Sequence, residues 1–177
     1  MRKYLGSSIV LALLACGALA AQDVATAVVG TVKVVDKGTK TAVVKTADGT
    51  EHTIHFIGKT IAHGAVGTAK GTKDAFEGVK EGDDVVVHYT VKGTEETAKE
   101  VDHVGKDGVK VTVISVKAVD RGAKTVTVKT AEGGEEVYHL TDQAAKETGK
   151  GLKTGAKTTI YYTEDGGKKV AHYFKEG

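Results

Sequence analysis

The sequence predicts an all-β protein built as two tandem five-stranded small barrels. Three observations carry this. Residues 32–56, VKVVDKGTKTAVVKTADGTEHTIHF, return 84 positions later at 116–140 as VKAVDRGAKTVTVKTAEGGEEVYHL. A second block, His88-Tyr89-Thr90 followed by Ala98 and Val101, returns 73 positions later as Tyr161-Tyr162-Thr163 followed by Ala171 and Phe174. Within each copy, apolar or β-branched residues alternate with Lys and His at period two between turn signals, the pattern of half-buried strands. The difference between the offsets assigns 11 extra residues to the first copy, between its two blocks.

The elements follow in order. Val32 with Val34, Thr41 with Val43, and Ile54 with Phe56 mark three strands of copy one. Asp36-Lys37-Gly38 and Asp48-Gly49 separate them; Asp-Gly suits a tight hairpin, because Gly takes positive φ without a steric cost. Copy two places Asp120-Arg121-Gly122 and Glu132-Gly133-Gly134 at the same points. Thr141 or Asp142 can cap a short helix over 143–148, ended by Gly149. The matching stretch of copy one is Gly-rich, weakly helical and carries the insertion, as a surface connection tolerates. Strand four falls at VVVHYTV (85–91) and TTIYYT (158–163), and strand five at about 96–104 and 168–174. Three strands, a helix or loop, then two strands is the order of an OB-like barrel. An SH3-like barrel is the alternative, with its short helix later. The expected domains are 27–106 and 110–177.

The N-terminus reads as an export signal over residues 1–21. Arg2 and Lys3 precede an apolar run at 4–15, short of the ~20 residues that span a bilayer. Ala18-Leu19-Ala20 offers an ordinary cleavage site, which implies a periplasmic or secreted protein. Leu13-Leu14-Ala15-Cys16-Gly17 resembles a lipobox, and lipidation of Cys16 would instead tether the chain to a membrane. Cys16 is the sole cysteine, so the processed chain has no internal disulfide. Loss of Arg2 and Lys3 leaves 23 basic residues against 23 acidic ones. A neutral chain with 5% aromatics lacks the basic grooves and stacking rings that nucleic acid requires.

Gly30-Thr31-Val32, Val35-Asp36, Lys80-Glu81-Gly82-Asp83, Val85, Val87, Tyr89, Ala98 and Val101 resemble the pattern of a family of short exported bacterial β-barrel repeats of unknown function. The resemblance covers both copies, and copy two departs from it at Gly155-Ala156. These are turn and core positions. The resemblance implies a fold and brings no activity, cofactor or site.

Catalytic signatures are missing: no G-x-S-x-G elbow, Ser-x-x-Lys pair or phosphate-cradling Gly loop occurs. The expectation is a non-enzymatic envelope module without a cofactor, binding a protein or glycan or acting as a spacer. Tyr161 and Tyr173 replace His88 and Glu100 on neighbouring strands of copy two and could form a stacking patch for a partner. Packing of this edge against copy one is the favoured alternative. The rival function is a metal site for zinc, copper or nickel built from strand histidines of copy one, namely His55, His88, His52 and His103. No H-x-H or H-E-x-x-H spacing supports it, and solvent-exposed strand histidines remain the simpler reading. Alternation with Val87 and Tyr89 predicts that His88 faces outward to solvent.

Overall fold

A computed structural model describes residues 24–64, 74–106 and 108–176. The predicted signal segment with Cys16, and part of the copy-one insertion, lie outside the described residues. The first barrel comprises β1 (Val24–Asp36), β2 (Thr41–Thr46), β3 (Glu51–His55), β4 (Ile61–His63), a 3-10 helix (Ala75–Gly78), β5 (Asp84–Lys92) and β6 (Glu95–His103). The second comprises β7 (Lys110–Asp120), β8 (Thr125–Lys129), β9 (Glu135–Leu140), α1 (Asp142–Gly151), β10 (Lys157–Asp165) and β11 (Lys168–Glu176).

Both copies close into five-stranded barrels. In the first, the order β3-β2-β1-β5-β6 is closed by a parallel β3–β6 pairing, and in the second β9-β8-β7-β10-β11 is closed by a parallel β9–β11 pairing. With the helical segment between the third strand and the last two, this is the predicted OB-like order. The short β4 was not predicted. It extends the line of β3 along β6, pairing Ile61 with Glu100 and His63 with Asp102, and the Thr60 hydroxyl anchors the turn before it by donating to the Ala98 carbonyl at 2.9 Å.

Each barrel has its own apolar core. Val32, Val44, Ile54, Phe56, Phe76, Val85, Val87 and Val101 fill the first. Ile114, Val116, Val126, Val128, Tyr138, Leu140 and Ile160 fill the second. The inward residues of β2 are Ala42 and Val44 rather than Thr41 and Val43. Val34 is turned out by a bulge in β1 between Val32 and Val34. The second copy repeats this bulge between Val116 and Ala118. One extra residue reverses which face the following side chains occupy, so plain alternation mis-assigns positions beyond it.

The Thr141 hydroxyl accepts from the Ala144 amide at 3.1 Å and caps α1, as predicted, but the helix runs on to Gly151. Lys124 reaches Asp142 at the start of α1, and Lys40 reaches Asp74, the cap of the 3-10 helix, each at 2.7 Å. The same contact thus recurs in both copies.

The hairpin after β2 closes through Thr46 and Thr50, with the Gly49 amide bonded to the Thr46 carbonyl. Three residues therefore turn the chain, and Gly49 has φ +90°. A β-branched residue in that region is strained by about 1–2 kcal/mol. Gly49→Val should lower the melting temperature of the first barrel accordingly, read by thermal denaturation followed by circular dichroism. An unchanged melt would contradict this turn.

Candidate functional site

The two barrels meet through related strands. On the first, β5 and β6 turn one face to their own core and the other toward barrel two. Five successive β5 residues, Val85 to Tyr89, are consequently buried. Such a run marks a strand covered on both faces. On the second, Tyr161 of β10 packs with Val86 and Val109, flanked by Ala27, Val29, Val104 and Tyr173.

A polar group lies beside this apolar contact, and strand bulges put it there. In β6 the register slips between His88 and Tyr89 of the partner strand, leaving Lys99 as the extra residue. Ala98 and Val101 then both point into the barrel, while Glu100 and Asp102 point out toward barrel two. In β11 the equivalent slip leaves His172 as the extra residue, at the position that corresponds to Lys99. A bulge is a common way to re-aim a functional side chain.

His172, Glu100 and Asp102 are each at most 2% exposed. The His172 Nδ1 lies 2.9 Å from Asp102 Oδ1 and 3.5 Å from Glu100 Oε1. Neither oxygen lies in line for a hydrogen bond, so Nδ1, Glu100 Oε1 and both Asp102 oxygens are buried without one. The other ring nitrogen of His172, Nε2, is held by the Thr163 hydroxyl at 2.9 Å. His63, at the end of β4, brings Nε2 to 3.9 Å from Glu100 Oε1, and its ring meets that of His172 edge-on. The side chain of His63 is 36% exposed, so the group reaches solvent on that side.

His88 sits next to them, 1% exposed. Its Nδ1 is 2.7 Å from Glu147 Oε1 on α1, and its Nε2 is 3.7 Å from Asp102 Oδ2. Burial pulls the His88 pKa down, but the Glu147 carboxylate, then Asp102 and Glu100, outweigh it and hold it above the usual value. His172 likewise loses affinity for its proton through burial, yet Asp102 and Glu100 push its pKa up to about 9. His103 behaves oppositely: burial dominates over the attraction of Asp83 and depresses it.

A carboxylate in the interior costs several kcal/mol unless it is paired and hydrogen-bonded. Imidazoles are the ion-pair partners of Glu100 and Asp102, and their alignment is poor. The same four groups, His63, Glu100, Asp102 and His172, converge so that one ligand atom from each lies within 4.8 Å of the others. Ligands held about 2.1 Å from one ion stand about 3–4.2 Å apart. The observed separations run from 2.9 to 4.8 Å, so the widest pair must draw in by at least about 0.6 Å, and by about 1.4 Å for a tetrahedral ion, to close on a cation. Two imidazoles and two carboxylates without sulfur suit a divalent first-row transition ion.

The sequence-predicted histidines are distributed differently. Among the described residues, the converging group contains none of His52, His55, His88 or His103. His52 instead pairs with Glu96 at 3.0 Å beside Tyr89, and His55 is half-buried on β3. His103 faces Asp83 at 3.4 Å. His88 does point away from its own core, but barrel two covers it, so the expected solvent exposure is not found. Tyr161 and Tyr173 do pair across β10 and β11, with ring centroids 5.7 Å apart, and this edge packs on copy one. Sequence reasoning missed His63, Glu100, Asp102 and His172. The spacing Ala98 to Val101, three where alternation requires two or four, was the available sign of the bulge that exposes the two acids.

No protein-family model matches the chain, and no curated protein matches it.

Proposed function

We propose that this chain is an exported, non-enzymatic metal-binding module whose two barrels hold one divalent transition-metal ion between them. The observation that carries the reading is the set of buried ligand atoms on Glu100, Asp102 and His172, which lack hydrogen bonds and converge with His63. Three ligands come from barrel one and His172 from barrel two, so an ion there ties the halves together. Thr163 supports His172 from behind, which orients the ring and fixes Nδ1 as the ligand atom. Burial of three of the four ligands favours retention of an ion over turnover.

Native mass spectrometry of the purified protein, loaded in turn with zinc, cobalt and nickel, tests this. One ion per chain is expected, with loss of binding in His172→Gln and in His63→Gln. His52→Gln and His55→Gln should bind as the parent does. Absence of a stoichiometric ion, or equal loss from His55→Gln, would overturn the assignment.

A further inference from the structure

We infer that His88 is a fifth ligand to this ion, completing a closed site of three imidazoles and two carboxylates. The inference rests on the metal reading above and adds a coordination number and a positioning residue to it. His88 Nε2 is buried, has no hydrogen-bond partner and faces Asp102 Oδ2 at 3.7 Å. That distance falls within the spacing of about 3–4.2 Å between two ligands of one ion. Its position on β5 is opposite Glu100 in the strand register, so it projects from the same outward face as the two acids.

The other side of the ring has the partner that ligating histidines usually have. Glu147 Oε1 lies 2.7 Å from Nδ1. A carboxylate accepts, so Nδ1 carries the hydrogen, and the neutral ring presents its Nε2 lone pair to the ion. A carboxylate behind the imidazole fixes the tautomer and raises ligand basicity. Glu147 belongs to α1 of barrel two, so that barrel reaches the ion twice: directly through His172, and through His88 by way of Glu147. Five protein ligands favour an ion that accepts coordination above four and leave little room for a reactive water.

Cobalt(II) is the probe, because a four-coordinate tetrahedral ion absorbs visible light intensely and a five- or six-coordinate ion weakly. The wild-type protein with cobalt should give the weak spectrum. His88→Gln should retain cobalt with a shift toward the intense tetrahedral bands. Glu147→Gln keeps the ring and should retain the wild-type spectrum while binding about 10–100-fold more weakly. A tetrahedral spectrum for the wild type, or no spectral difference between wild type and His88→Gln, would overturn the role of His88 and leave the four-ligand site standing. Failure of the wild type to take up cobalt would overturn both. The wild-type spectrum decides the coordination number even if His88→Gln does not fold.

Discussion

Saturating the metal-free protein with zinc should raise its melting temperature by about 10 °C, and Asp102→Ala should abolish the rise. An ion that binds the folded chain alone stabilises it by about 4 kcal/mol at a free concentration a thousandfold above its Kd. For a chain of 150–250 residues each kcal/mol moves the melt by roughly 2–4 °C. Asp102 is the centre of the group: Oδ1 faces His172 and Oδ2 faces His88. Removing it takes away ligand atoms and the charge that draws a cation into the interior, so affinity should fall by more than about 100-fold. The two apolar cores lie away from Asp102, and the variant should keep its β-sheet circular dichroism. Differential scanning calorimetry with and without zinc reads both quantities. A zinc-dependent shift that survives in Asp102→Ala would remove the basis of the metal reading.

The metal-free protein should lose stability as pH rises from about 6.5 to 9. His172 faces Asp102, Glu100 and His63, and its folded-state pKa of about 9 stands above the ordinary 6.5. Below 6.5 the ring is protonated in both folded and unfolded chains, and its contribution is fully present. Between 6.5 and 9 only the folded chain keeps the proton, so stability falls with pH; above 9 the contribution is gone. The shift corresponds to about 3 kcal/mol at 1.4 kcal/mol per unit. His88, raised as well, acts in the same direction. His103, depressed by burial, acts in the opposite one and weakens the fold as pH drops below 6.5. Maximum stability without metal is therefore expected near pH 6–7. Zinc must displace these protons, so its affinity should rise across the same interval. Urea denaturation of wild type and His172→Gln between pH 6 and 9.5 checks this. A flat wild-type profile, or an equally steep one in His172→Gln, would refute it.

The fold was legible in the sequence because it depends on local signals that occur twice. Alternating Val and Lys, the Asp-Gly turn and the Thr141 cap each act over a few residues, and the repeat supplies a second measurement of each. The site depends on information of another kind. Whether His88 meets water or protein is decided by a barrel about 70 residues further along, and alternation within β5 is silent on that. The run Val85-Val86-Val87 was the local hint, since a strand with one wet face would not place three valines in succession. Glu100 and Asp102 look like ordinary surface acids among lysines until the bulge and the second barrel are both in place. His63 was hidden for a different reason: it ends the β4 strand, which forms by pairing with β6, in a Gly-rich stretch with no strand periodicity of its own.

The joining of related faces has a consequence for how such a site can arise. Two identical single barrels meeting through these strands would form a symmetric dimer, in which every residue appears on both sides of the contact. Glu100 and Asp102 would then face a second pair of the same acids, and Lys99 would stand where His172 now does. Covalent duplication removes that restriction. The positions of Glu100 and Asp102 in copy one correspond to Tyr173 and Lys175 in copy two, and Lys99 corresponds to His172. Copy one carries the two acids with His63 and His88, while copy two supplies an aromatic ring and His172, a division of labour that a gene encoding one barrel has no means to encode.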